Sequence, residues 1–376
     1  MVRLSCLLLA CAGLAASEPS LKVASPRPNQ VFQRTAKDAG TLLITGTIDA
    51  LPAGEAPPAV EFRLDGGEWR KVDSPELKAT PSRDSFAFSG RISTRPGMHA
   101  VEVRARRPGA AELVAAPIRC GLGEVFVVTG QSNSANHGAA RTKAASDQVF
   151  SLAPPGTWQP CADPQPGASG NGGSFLPVFG DELQRRLGVP IGLVPCGIGA
   201  TSVREWLPSG VPFANPPTIM SRVRKAADGA WEADGKAYAM LVARMRSVPA
   251  FRAVLWHQGE SDANQKDPTR TLPGKAYAEH LRTLIARSRH DSERTAPWFV
   301  AQVSYHGPTD MGSEDIRAAQ ASLWKDRSAL EGPDTDALSG PLRDQGGKGV
   351  HFSAEGLKAH AHAWAEKVAP WVESQP

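Results

Sequence analysis

Four short segments of this chain carry the residue types that acyl transfer needs. Gly130-Gln131-Ser132-Asn133 follows the apolar run Glu124–Thr129, and Gly197-Ile198-Gly199-Ala200-Thr201-Ser202 follows Ile191–Pro195. His257-Gln258-Gly259-Glu260-Ser261-Asp262 follows Ala253–Trp256, and Gly349-Val350-His351-Phe352-Ser353 stands just before a final amphipathic stretch. A serine hydroxyl is a weak nucleophile near neutral pH and needs an adjacent base, normally a histidine. Ser132 and His351 form the natural pair. Attack on an ester carbonyl creates an oxyanion that wants fixed hydrogen-bond donors, each worth roughly 2.7–4 kcal/mol. The Ser132 and Gly199 amides and the Gln258 side chain suit that role, and a glycine at 199 lets the backbone approach a substrate without a Cβ in the way. Asn133, Arg204 and Trp206 are candidates for holding the rest of the substrate by hydrogen bonding and stacking, with packing and surface roles as the alternative for Arg204 and Trp206.

Taken in order, GQSN, the G-x-G-A-T-S turn, WHQGES and a late VHFS-x-x-G resemble the sialate O-acetylesterase-like branch of the SGNH hydrolases, which includes the family 6 acetylxylan esterases. The resemblance covers roughly residues 120 to 374. It implies a three-layer α/β/α fold and removal of acetyl groups from carbohydrates without metal or cofactor. It also implies Ser132 as nucleophile, His351 as base, Gly199 as the block glycine and Gln258 as the polar residue on the oxyanion side.

One position departs from the pattern. Relatives often carry an aspartate where this chain has Lys348, and a lysine cannot accept a hydrogen bond from an imidazole. Three substitutes are open: Glu260, which serves as the acid partner in some relatives and is the favoured one; Asp344, on a glycine-rich loop able to fold back; and the Gly349 carbonyl, which would leave a Ser-His dyad. Glu260 could instead cap a helix or pair with Arg204. The Lys348 ammonium is expected to lower the pKa of His351. Two readings compete with the acetylesterase: a non-catalytic sugar-binding protein on the same scaffold, and a lipase or thioesterase of the same superfamily. The acetylated sugar and the oligomeric state are not legible.

The elements that must position these groups alternate. Helical periodicity covers Val178–Leu187, Lys236–Arg246, Lys275–Arg289 and Asp315–Lys325, and a last helix starts at a Ser353 cap with Leu357, Trp364, Val368 and Trp371 on one face. Strands between such helices predict a parallel sheet covered on both faces, with reactive loops beyond its carboxyl ends. From about residue 20 to 120 the period is two instead: Val60, Phe62 and Leu64 alternate with Glu61, Arg63 and Asp65. This predicts a small β-sandwich whose Arg104, Arg106 and Arg107 lie on a solvated face. The expected organisation is a signal peptide over 1–17, an accessory β-sandwich over 18–119 and an α/β esterase domain over 120–376.

Composition narrows the class. The chain has 376 residues, 41% hydrophobic, and a net charge of +4, too weak a bias for a nucleic-acid partner. It has no apolar run long enough for a membrane span. Arg3 followed by the apolar stretch Leu4–Ala16 reads as a secretory signal, which predicts a secreted or periplasmic protein. Leu8-Leu9-Ala10-Cys11 gives the alternative of lipoprotein anchoring at Cys11. Cys120, Cys161 and Cys196 show no zinc-ligand spacing, and one disulfide plus one free thiol fits their number. His360 and His362 fall on different faces of a helix and suit no metal. Gly167–Gly173 lacks the Lys-Ser/Thr of a phosphate loop and is read as a flexible loop over Ser132.

Overall fold

The computed structural model describes residues 18–51, 58–71, 73–79 and 85–376. The segment read as an export signal, with Cys6 and Cys11, lies outside them. No helix among the described residues is long and apolar enough to cross a membrane. The chain gathers into two compact units.

Of the described residues, the smaller unit holds those between Leu43 and Ile92, those from Val101 to Pro117 and residues 18–26. It is built of strands. Ala59–Leu64 pairs antiparallel with residues 101–106, and the buried Val60, Phe62, Val101 and Val103 share its interior with Ile44, Ile48 and Phe88. Of the predicted arginine face Arg106 is exposed, as expected, while Arg104 is mostly covered. Arg104 bonds Glu61 at 2.6 Å and lies 4.3 Å from the Trp69 ring, which Arg63 flanks at 4.8 Å.

The larger unit holds Arg27–Leu42, Ser93–Ala100 and Ile118–Pro376, so it recruits chain from well before residue 120. Its sheet is made of β1 (Ile118–Gly130), β2 (Val149–Ala153), β3 (Thr157–Pro160), β4 (Ile191–Pro195), β5 (Ala253–His257), β6 (Trp298–Gln302) and β7 (Leu330–Asp334), in the order β3-β2-β4-β1-β5-β6-β7. All neighbours run parallel except β2 and β3. Alternate residues of β1 point to opposite faces. Val125 and Val127 join a core with α2 (Lys236–Arg246), α3 (Gly274–Ser292) and α4 (Glu314–Lys325) through Leu241, Leu281 and Ile316. Phe126 and Val128 join a second core with α1 (Leu176–Leu187) and α5 (Ala354–Glu373) through Phe179, Trp364 and Val368. Burial on both faces is why these strands read as unbroken apolar runs rather than alternating ones.

The expected helices are present, and Ser353 caps α5 by accepting from the Gly356 amide at 3.1 Å. β2, β3 and β7 carry no clear periodicity and were not expected. β7 contains Gly332-Pro333, which reads as a turn but is tolerated because β7 is an edge strand. Among the described residues Cys120, Cys161 and Cys196 form no disulfide with one another, and all three are buried. Cys161 and Cys196 sit in different cores, on opposite faces of the sheet.

An ion cluster locks the entry of β1. Val31–Gln33 pairs in parallel with Gly121–Gly123. The fully buried Glu124 carboxylate accepts from Arg34 Nε at 2.6 Å, Arg252 Nε at 2.7 Å and Gln33 Nε2 at 2.8 Å. Removing one partner of such a cluster leaves the opposite charges buried and uncompensated, at a cost of about 3–5 kcal/mol. Glu124→Gln is therefore expected to lose about 3 kcal/mol or more of stability in urea unfolding, whereas a change at the exposed Asp147, partner of Arg119, should cost well under about 1 kcal/mol.

Candidate active site

β1 lies between β4 and β5, so the connections leaving its carboxyl end diverge and open a crevice there. Gly130 ends β1 at φ +129°, and a Cβ on it would stand 2.1 Å from the His257 carbonyl oxygen. Only glycine permits that approach. The Gln131 amide then donates to the His257 carbonyl at 2.9 Å, and the Ile198 amide to the Gly130 carbonyl at 2.9 Å, which brings three of the four sequence segments together. Ser132 opens a single 3-10 turn, Ser132–Ser134. It lines a pocket of about 520 Å³ with Gly199, Glu260, His351, His137 and Ser169. A larger open cleft of about 800 Å³ beside Tyr238 and Asp291 contains none of these groups.

The fourth segment reaches the pocket through a closed loop. The Asp344 amide donates to the His351 carbonyl at 2.9 Å and the Gly349 amide to the Asp344 carbonyl at 3.0 Å. Between them Gln345, Gly346 and Gly347 all hold left-handed backbone. The reversal sets Asp344 Oδ2 3.7 Å from His351 Nδ1. Gly349 makes room for it, since a Cβ there would fall 1.6 Å from Asp344 Oδ1.

Glu260 lines the same pocket but is not paired with the His351 ring. Its Oε1 accepts from Asn133 Nδ2 at 3.0 Å, and its Oε2 is buried with no partner among the described residues. Burial pushes its carboxyl up to about 7, with the Asn133 bond opposing. The carboxylate at the His351 ring is therefore Asp344 and not the favoured Glu260. Nor does Glu260 pair with Arg204, which bonds Asp262 at 3.1 Å.

Burial holds the His351 pKa below the ordinary histidine value; Asp344 opposes this and Arg343 reinforces it. The cation that acts on His351 is thus Arg343, and Lys348 is exposed. Arg343 is buried between the Tyr305 and Phe352 rings and donates to the Val350 carbonyl at 2.8 Å. A second imidazole, His137, stacks on His351 with ring centroids 5.4 Å apart. Burial, and next His351, lower its pKa as well.

Several expected site residues are not in the pocket. Gln258 is fully buried, and its amide donates to Asp262 Oδ2 at 2.7 Å, Thr201 O at 3.0 Å and Gln131 Oε1 at 3.2 Å. It has no hydrogen left for an oxyanion. Asn133 ties Glu260 to the Val350 carbonyl, 3.2 Å away, and so joins the Ser132 and His351 segments instead of facing substrate. Arg204 and Trp206 are fully buried; Trp206 Nε1 bonds Thr201 Oγ1 at 2.9 Å and its ring packs edge-on against Trp256. The glycine-rich loop is pinned, not loose: Asn136 donates to the Ser169 carbonyl at 2.9 Å and the Ser169 amide to the Gly197 carbonyl at 2.9 Å. His360 is buried and His362 exposed, as their spacing predicts.

Sequence reading did not single out five pocket residues, His137, Ser169, Arg222, Gln265 and His306. His137 had a signal, because it shares the short Ser132 loop. His306 Nε2 lies 2.6 Å from the Glu260 carbonyl and Nδ1 2.7 Å from Asp310, and nothing in its local sequence marks that position.

The family model for carbohydrate esterases described as sialic acid-specific acetylesterases matches residues 122–369. This chain belongs to that family. Among solved structures, a carbohydrate acetylesterase from Xanthomonas citri shares its fold at 16% identity, with a TM-score of 0.52 over 93% of this chain and 74% of the other. A carbohydrate esterase family 2 enzyme with a carbohydrate-binding domain, from Corynascus thermopiles (Myceliophthora fergusii), aligns at 14% identity over 94% of this chain and 100% of its own. Its TM-score is 0.36 and carries no weight here. No curated protein matches the sequence. Family membership makes a hydrolase of carboxylic esters the setting in which the pocket is read.

Because Asp344 raises the His351 pKa, Asp344→Asn should shift the His351 titration to lower pH in an NMR experiment. Gly349→Ala, which displaces the same carboxylate, should shift it in the same direction. Glu260→Gln should leave it in place.

Proposed function

We propose that this carbohydrate esterase is a serine acetylesterase that removes acetyl groups from acetylated carbohydrate. The reading rests on one observation above the rest: Ser132 and His351 face one pocket, and Asp344 lies at the far ring nitrogen of His351. Ser132 Oγ attacks the acetyl carbonyl while His351 Nε2 takes its proton. Asp344 holds the ring and favours the imidazolium that forms. The oxyanion collapses, the carbon–oxygen bond to the sugar breaks, and the sugar oxygen leaves with the proton from His351. Water, deprotonated by the same histidine, then attacks the acetyl-serine and releases acetate. The Ser132 amide, which has no acceptor among the described residues, donates to the oxyanion. His351 and His137 are both held towards the neutral form, the state a base requires.

The lining supports a short acyl group. Among the lining side chains only Ile198, Ala200 and Val350 are aliphatic, and all three are short of what a long acyl chain would need along its length. The two-faced parallel sheet with its crevice at β1 fits an SGNH-type hydrolase. The strands of the smaller unit are read as an accessory β-sandwich, and residues 1–17 as a signal for secretion or export to the periplasm.

Ser132→Ala is expected to abolish release of 4-nitrophenol from its acetate ester while circular dichroism and Tm stay those of the wild type. Turnover of the octanoate ester should be far below that of the acetate. Acetate release from a panel of acetylated polysaccharides and sialic acids identifies the carbohydrate. Full activity in Ser132→Ala would overturn the nucleophile assignment.

A further inference from the structure

Of three oxyanion donors expected from the sequence, the structure leaves one. Gln258 is spent on three buried acceptors. The Gly199 amide has a single hydrogen, and that hydrogen points to Ser169 Oγ at 2.6 Å. The Ser132 amide alone is open, whereas a tetrahedral oxyanion has room for two or three donors.

Ser169 is what stands between the Gly199 amide and the pocket. It lines that pocket with Ser132. Its Oγ accepts from Gly199 and lies 3.2 Å from His137 Nε2. A hydroxyl oxygen has two acceptor sites and one hydrogen. If Gly199 and His137 Nε2–H fill both acceptor sites, the hydroxyl hydrogen has to point away from both, towards the pocket. Two donors on its oxygen also make an O–H a stronger donor in turn. The backbone fixes the position: Asn136 donates to the Ser169 carbonyl and Ser169 donates to the Gly197 carbonyl, each at 2.9 Å. His137 is fixed in its turn, stacked on His351 and packed over Gly199, where an added Cβ would meet its Nε2 at 2.7 Å.

We propose that Ser169 is a catalytic residue of this site, its hydroxyl donating to the oxyanion in place of Gln258 and relaying the Gly199 amide, with His137 as the positioning residue that directs it. The proposal rests on the acyl-transfer reading of Ser132. No proton leaves Ser169. Its hydrogen bond strengthens as charge develops on the carbonyl oxygen and relaxes when the intermediate collapses, so the reaction's atoms and protons balance as before.

The experiment uses the full chain, 4-nitrophenyl acetate and methaneboronic acid, which adds to a serine Oγ as a tetrahedral anion resembling the intermediate. Ser169→Ala is expected to lower kcat/KM about 10²- to 10³-fold, the loss typical of one oxyanion donor. It should weaken boronate inhibition by a similar factor, with acetate inhibition and Tm little changed. Ser169→Thr keeps the hydroxyl and should recover most of both. His137→Phe, which cannot donate, should lose most of the Ser169 contribution, whereas His137→Gln retains an N–H and should lose less. In a double-mutant cycle Ser169→Ala should cost little more in the His137→Phe background.

A Ser169→Ala enzyme within about threefold of wild type, with Ser132→Ala inactive, overturns this proposal and leaves the acyl-transfer reading standing. An active Ser132→Ala overturns that reading itself. A faster His137→Phe enzyme would mean that His137 accepts the Ser169 hydrogen and withholds it, which also overturns the proposal. Should Ser169→Ala fail to fold, boronate inhibition of His137→Phe and His137→Gln decides: equal affinity in both overturns it, and weaker binding in the Phe variant alone supports it.

Discussion

The pocket depends on one close approach, that of Gly130 to the backbone of His257. In a parallel sheet the strands on either side of β1 would carry their loops away from each other. Here the absent Cβ of Gly130 lets β1 end against β5, and the next amide, Gln131, continues the pairing by donating to the His257 carbonyl. Everything downstream inherits that register. Ser132 emerges at the crevice, and the Gln131 side chain reaches into the neighbouring loop. There its Oε1 accepts from Gln258 Nε2 at 3.2 Å and the Ser261 amide at 3.1 Å.

That network explains why so much of the HQGE segment is spent on structure. Gln258 is closed in by its own acceptors, and its carbonyl accepts from the Tyr277 hydroxyl at 2.6 Å. Asp262 accepts from Ser202 Oγ at 2.5 Å, the Val203 amide at 2.8 Å and Arg204. Leaving such groups buried and unpaired costs about 1–3 kcal/mol, and in this segment only His257 Nδ1, Gln258 Oε1 and Glu260 Oε2 lack a partner among the described residues, so most of the network holds the loops in place. A rigid wall suits a site whose donors have to be in place before charge develops. Its cost is that polar residues a reader would assign to substrate are already engaged with protein.

The electrostatics point the same way. The pocket holds the His351 and His137 imidazoles in a setting that disfavours their charge, through burial and, for His351, the buried Arg343 guanidinium. Asp344 is the counterweight. It reaches His351 only because Gln345, Gly346 and Gly347 turn the chain back on itself and Gly349 clears the space. A longer excursion thereby brings a carboxylate to the His351 ring although position 348 is a lysine, and Lys348 is left exposed.

The sequence by itself determined the layered α/β unit, the helices of its two cores and the four segments that meet at the crevice. Those features are local: an apolar run, a 3.6-residue period, a Ser353 cap or a Gly-Gln-Ser turn is written in neighbouring residues. It also named Ser132, His351 and, among its alternatives, Asp344. What only the tertiary structure decided is which polar groups remain free. Gln258, Arg204, Asn133 and Glu260 are as polar in sequence as Ser169 and His137. Hydrogen bonds with residues distant along the chain, Gln131 and Thr201 for Gln258 and Asn133 for one oxygen of Glu260, engage the first group, while Ser169 and His137, bonded to each other, line the pocket. A donor has only as many hydrogens as its chemistry gives it, and where they go is settled by neighbours that the fold, not the local sequence, supplies.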